Sequence, residues 1–192
     1  MKRLIWIAVI CSAAPLIAKA QGMGSMGGSM NGGSMQMGSN ANPVSTKLQQ
    51  VLDTYAKNLV ATAEEVPVEK YTFHPTPEEM TIGATMAHIA NVNNNACSKV
   101  GGVDAPKMDK LAETDKDKLV ENLKASMDFC RAQFATLTDA KLADSVPWYG
   151  GRQVSRISAA MEVTNDLVDH YASLSVYVRL NGMLPPTAQK KP

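Results

Sequence analysis

Beyond residue 20 this 192-residue chain lacks three things, and each absence narrows what it does. No apolar stretch there is long enough to cross a membrane, which takes about 20 consecutive apolar residues in a helix. Nor is there a marked basic excess: even over the whole chain 19 Lys and Arg face 18 Asp and Glu, a formal net charge of +1. A nucleic-acid partner wants a clustered basic face, so composition gives such a partner no support. Cysteine is scarce as well, with three in the chain. One ordinary domain fits the length.

What is present begins with an address. Lys2 and Arg3 precede an apolar run over residues 4–17, and Ala18-Lys19-Ala20 follows. A positive start, an apolar middle and a small-x-small ending predict a secretory signal peptide over residues 1–20, cleaved after Ala20. The mature protein is then periplasmic or secreted. Cleavage removes Lys2, Arg3 and Lys19, leaving 16 basic against 18 acidic residues and a formal net charge of −2. It also removes Cys11, leaving Cys97 and Cys130. In an oxidising compartment an even count invites a disulfide, the alternative being two buried free thiols.

Residues 21–42 are rich in Gly, Ser and Met, a composition that cannot bury enough to fold and reads as a flexible tether. Met23, Met26, Met30, Met35 and Met37 offer thioethers, which suit Cu(I). Biased linker composition is the plainer account.

Four helical patterns follow. Leu48, Val51, Leu52, Tyr55, Leu59 and Val66 recur in steps of one apolar stripe, with Ser45 or Thr46 as cap and Val66-Pro67 as stop. Thr81 opens a second helix reaching Val100, with Ile82, Met86 and Ile89 inward and His88, Asn91 and Asn95 on another face. Asn91, Asn93, Asn94 and Asn95 are poor helix formers, so they predict either local fraying or a polar cavity. In the third helix Val120, Leu123, Met127, Cys130, Phe134 and Leu137 alternate steps of three and four, the seam of a bundle. Thr114 and Asp117 resemble a capping box at its start. A connection over residues 142–152, with Pro147, Trp148, Tyr149 and Gly150-Gly151, has room for a short hairpin.

The fourth helix starts near Ser155 and stops at Asn181-Gly182, ahead of Pro185-Pro186. Its apolar members are Ile157, Met161, Thr164, Leu167, Val168, Tyr171, Leu174 and Val178. A second stripe is polar: Glu162, Asp166, His170, Ser173 and Tyr177. Four long helices without a strand series predict an all-α four-helix bundle. Asp166 and His170 leave one face a turn apart and can hold two positions of a metal ion, although such a pair on an amphipathic helix is more often a solvated face.

Several short motifs, in order, resemble one family. They are Asn42-Pro43-Val44-Ser45, Tyr71 to Pro77 with His74 in a Phe-His-Pro context, Ala87-His88-Ile89-Ala90, Ala96-Cys97-Ser98, and Asp128-Phe129-Cys130. Asp169-His170-Tyr171, the run from Val176 to Gly182, and Pro185-Pro186 complete the set. Together they resemble the DinB-like (damage-inducible, YfiT-like) family, especially its exported members, over nearly all of residues 43–186. Residues 187–192 are then a tail.

The resemblance implies a bundle with a divalent metal held by three residues, commonly three histidines, one from the second helix and two from the fourth. His88 falls on the first position and His170 on the last. Asp166 stands where the family usually has His. A carboxylate with two imidazoles suits Zn, Ni, Mn or Fe, and three protein ligands leave a position open for a small-molecule substrate. Glu162 and Tyr177 are candidates for supporting roles. His74 stands where relatives tend to have Arg or Lys and is not counted as a ligand. Some cytoplasmic relatives use low-molecular-weight thiols, which export would deny this chain. A metal-dependent hydrolase is the enzyme reading that remains. A ligand-binding or stress-associated bundle with a decayed site is the alternative, and a homodimer would fit the family.

Overall fold

The computed structural model describes residues 41–190. The predicted signal peptide and most of the predicted Met-rich tether lie outside the described residues. Four helices carry the fold: α1 (Pro43–Glu65), α2 (Ile82–Gly101), α3 (Lys116–Ala135) and α4 (Arg156–Leu180). Between α3 and α4 a two-stranded antiparallel hairpin, β1 (Ser145–Pro147) and β2 (Gln153–Ser155), pairs Val146 with Val154. Short 3-10 turns stand at Val68–Lys70 and Pro186–Ala188. This is the all-α four-helix bundle that the sequence predicts.

Each helix packs on two others: α2 on α3 and α4, and α1 on the same pair. The interior is filled by Leu52, Leu59, Ile82, Met86, Ile89, Leu123, Met127, Phe134, Leu167 and Leu174, all essentially without exposure. Each such side chain contributes about 1.5–3 kcal/mol by leaving water. All six residues of the predicted α3 seam are buried. Met161 is the miss on α4: it is 48% exposed. Its neighbour Glu162 is exposed too, so this part of the first turns faces solvent and the stripe runs through Ala160, Val163 and Thr164 instead.

The helix starts divide into predicted and unpredicted. Thr81 accepts from the Ala84 amide and Ser155 from the Ser158 amide, so α2 and α4 carry their own caps. At α1 neither Ser45 nor Thr46 is the cap, because the helix begins at Pro43, whose missing N–H costs nothing there. The carboxylate of Asp139, 94 residues on, accepts from the Val44 and Ser45 amides and from the Ser45 hydroxyl. That cap from another segment supplies what Ser45 was expected to supply. The Thr114–Asp117 capping box does not form either: Asp115 occupies the N-cap position, with no side-chain cap bond. At the far end of α1, Lys116 donates to the Glu64 and Val66 carbonyls, both at 2.7 Å.

A disulfide joins Cys97 of α2 to Cys130 of α3, both fully buried. The asparagines of α2 lie beside it. Helix α2 is continuous through residues 91–95, so there is no fraying. Asn93 is buried against α3 and donates to Ser126 Oγ and Met127 Sδ, while the outer pair Asn91 and Asn95 hydrogen-bond to each other. The residues after Pro186 continue the fold: Thr187 bonds the Tyr171 hydroxyl and Gln189 reaches Glu65.

Candidate metal centre

Helices α2 and α4 pack side by side, and part of the polar stripe of α4 lies where they meet. The two helices run antiparallel here, since Arg156 at the start of α4 donates to the Val100 carbonyl at the end of α2 and His88 meets His170. One helical turn separates Glu162, Asp166 and His170 in succession, so all three lean to the same side. From α2, His88 meets His170, and Lys99 meets Tyr149 of the hairpin.

The structure brings the three predicted ligands together, in unequal states. The rings of His88 and His170 stand edge to face with centroids 5.1 Å apart. Nε2 of His170 is 3.5 Å from Oδ2 of Asp166. Both atoms are buried, and neither has a hydrogen-bond partner among the described residues. A buried carboxylate oxygen and a buried ring nitrogen that make no hydrogen bond are costly unless something binds them. His170 is 12% exposed and Asp166 37%, whereas His88 is exposed. Burial pushes the His170 imidazole below its ordinary pKa; Asp166 opposes that shift and His88 adds to it. Among the described residues no three His, Cys, Asp or Glu side chains already stand in a metal-holding arrangement. The donor set nevertheless fits a divalent cation, because it contains two imidazoles, a carboxylate and two orphaned donor atoms.

Two side-chain clusters flank this stretch of α4, one built on Glu162 and one on Tyr177, both members of the predicted polar stripe. At one end the hairpin folds over α4. Trp148, 4% exposed, donates its indole N–H to Glu162 at 2.7 Å. The next residue, Tyr149, packs against Trp148 at 5.1 Å and lies under the Lys99 ammonium, 5.4 Å from the ring centroid. Gly150 and Gly151 take φ values of 68° and 72°, which lets the strand reverse and leaves Tyr149 at the tip. Burial, with the charges of Asp166 and Glu162, raises the Tyr149 pKa, so its hydroxyl remains a donor at neutral pH. At the other end Tyr177 donates to Glu79 at 3.2 Å and meets Phe73 edge to face, so it is part of the core rather than a solvent-facing member of the stripe. Burial followed by Glu79 raises its pKa also. His74 is exposed and bonds the Thr76 carbonyl, away from the site. The signal for Trp148 and Tyr149 was the paired aromatics ahead of Gly-Gly, but only the register of the hairpin aims them at α4.

Comparison with known proteins fits this bundle. Residues 52–174 match the family model described as the DinB superfamily. That is more than half of the chain, and the protein belongs to the DinB superfamily. No curated protein matches the sequence. Among solved structures, a DinB-like protein from Bacillus subtilis is 19% identical with a TM-score of 0.60, over 76% of this chain and 99% of that one. A conserved protein from Enterococcus faecalis is 16% identical with a TM-score of 0.58, over 71% and 96%. A mycothiol-dependent maleylpyruvate isomerase is 14% identical with a TM-score of 0.53, and the chain covers 60% of its length. At these identities the likeness is one of fold.

Proposed function

We propose that the protein is an exported DinB-superfamily member that binds a divalent cation through His88, Asp166 and His170 and acts on a small molecule as a metal-dependent hydrolase. The observation that carries this reading is the pair of buried, unpartnered atoms, Asp166 Oδ2 and His170 Nε2, facing each other beside the His88 ring. A bound ion there supplies Lewis acidity to a substrate. The chain's own residues do the rest. Glu162 is held by the Trp148 indole and lies one turn from Asp166. The protonated Tyr149 hydroxyl is available to a developing negative charge on the substrate. The N-terminal sequence supports export, and the Cys97–Cys130 disulfide accords with an oxidising compartment.

Metal analysis tests the reading. The purified protein is reconstituted with Zn²⁺, Ni²⁺, Mn²⁺ or Fe²⁺ and compared with Asp166→Ala and His170→Ala. One ion per chain in the parent and a loss in both variants is expected. No retained ion with any of the four metals removes the proposal. A second reading, a ligand-binding bundle with a decayed site, is favoured by one observation: His88 is exposed and the three side chains are not already arranged for a metal. Failure of reconstitution in a folded protein selects it.

A further inference from the structure

Two opposite charges that do not satisfy each other line a cleft between the C-terminal part of α2 and the hairpin. The cleft has a volume of about 580 Å³ and is lined by Asn95, Ser98, Lys99, Asp104 and Pro147 among others. Small-molecule sites run from about 300 to 1,000 Å³, so the volume suits a metabolite.

The neutral polar groups are already engaged. The amide of Asn95 donates to the Asn91 backbone and side chain, and the Ser98 hydroxyl donates to the Asn95 carbonyl. The charges are not. Lys99, half-buried, touches the Tyr149 ring but has no carboxylate within ion-pair distance among the described residues. Asp104 is exposed and likewise forms no ion pair there. The end of α2 adds a third contribution. Gly102 and Val103 turn back onto the Ser98 carbonyl, and Arg156 takes the Val100 carbonyl, but the C-terminus of a 20-residue helix still carries partial negative charge.

The cleft is therefore bipolar, positive at Lys99 and negative at Asp104 and the helix end. A simple anion leaves Asp104 and the helix end opposed to it, and a simple cation meets Lys99. A ligand carrying both charges matches both poles. We propose that this cleft binds a small zwitterion of the α-amino-acid class, with its carboxylate on Lys99 and its ammonium toward Asp104 and the end of α2. The cleft adjoins the Tyr149 end of the α2–α4 face, where the Lys99 ammonium lies on the Tyr149 ring, but it shares no residue with His88, Asp166 and His170 and does not require a metal.

The test uses the metal-free protein and three matched probes. L-leucine carries both charges, 4-methylpentanoate lacks the ammonium and isoamylamine lacks the carboxylate. Amide chemical shifts in ¹⁵N-labelled protein locate the binding. Leucine is expected to give saturable shifts at Lys99, Val103 and Asp104, with both analogues about tenfold weaker, the loss of one charged contact. Lys99→Gln and Asp104→Asn each weaken leucine about fivefold or more, and Lys99→Arg retains it. Both positions are at the surface, and an unchanged melting temperature confirms folding of the variants. The proposal is overturned if leucine gives no saturable shift at these amides, or if either analogue binds as tightly as leucine.

Discussion

Reducing the Cys97–Cys130 bond removes the one covalent link between α2 and α3 among the described residues, and its cost can be worked out. The two cysteines are 33 residues apart. In the loop-entropy model, closing a loop of that size takes about 12.5 cal/mol/K from the unfolded chain, or about 3.7 kcal/mol at 25 °C. For a domain of about 150 residues, 1 kcal/mol moves the melting temperature by about 2–4 °C, so reduction lowers it by about 7–15 °C. Cys97→Ala/Cys130→Ala loses somewhat more, because both sulfurs leave a fully buried site. Urea unfolding of oxidised, reduced and double-variant protein at neutral pH gives the three free energies. The reduced protein also exposes more surface when it unfolds, which raises the urea slope. Equal midpoints for oxidised and reduced protein would refute the reasoning. So would two titratable thiols in the unreduced, denatured chain.

Other expectations follow from single contacts. Gly83→Ala places a Cβ 2.0 Å from the Glu113 carbonyl oxygen, a backbone atom, so the 105–115 connection has to shift; a loss of about 1–3 kcal/mol in urea unfolding is expected. Tyr71 is fully buried and donates to the Ala63 carbonyl at 2.6 Å, and burial, then Asp117, raises its pKa above the ordinary 10.0. The unfolded phenol then ionises first, the unfolded state binds fewer protons, and stability falls as pH rises from about 10 upward. Tyr71→Phe costs about 0.5–1.5 kcal/mol at neutral pH and flattens that alkaline decline, as thermal melts across pH will show. Asp139→Ala removes the acceptor of three hydrogen bonds at the start of α1 and lowers the melting temperature, while Ser45→Ala does so less, since two backbone bonds remain.

The bundle was legible because its signals are periodic and local. The α3 seam, the Thr81 and Ser155 starts, and the Asn181-Gly182 stop after α4 each lie within a turn or two of what they specify. The disulfide was legible as an even count of cysteines. What could not be read were the contacts that link distant segments. Asp139 caps α1 across 94 residues, and no local pattern announces it. Trp148 reaches Glu162 only because the hairpin register turns its indole toward α4. Tyr177 looked like a polar-stripe residue because its hydroxyl is polar, yet that hydroxyl is satisfied by Glu79 and the ring packs inward. At the candidate site, spacing on α4 placed Asp166 and His170 on one face. The approach of His88 came from the antiparallel packing of α2 and α4.

Asp166 is where the functional proposal is decided, and its two available roles predict different variants. As a ligand it contributes a carboxylate oxygen to the ion, so Asp166→Asn and Asp166→Ala both lose metal. As an orienting partner it holds the His170 ring through the 3.5 Å contact, and Asp166→Asn still binds the ion, with an affinity lowered by about 10–100-fold at most. The buried, unpartnered state of Oδ2 favours the ligand role, because an orienting carboxylate would already be hydrogen-bonded to the ring it holds. Asp166→His then separates reach from charge. It makes the three-histidine set that the sequence resemblance implies, with a longer side chain, and is expected to retain one ion per chain and bind Zn²⁺ or Ni²⁺ at least as tightly as the parent. Titration with a metallochromic competitor measures this. Loss of the ion in Asp166→His with retention in Asp166→Asn would assign Asp166 to orientation and leave His88 and His170 as the ligands.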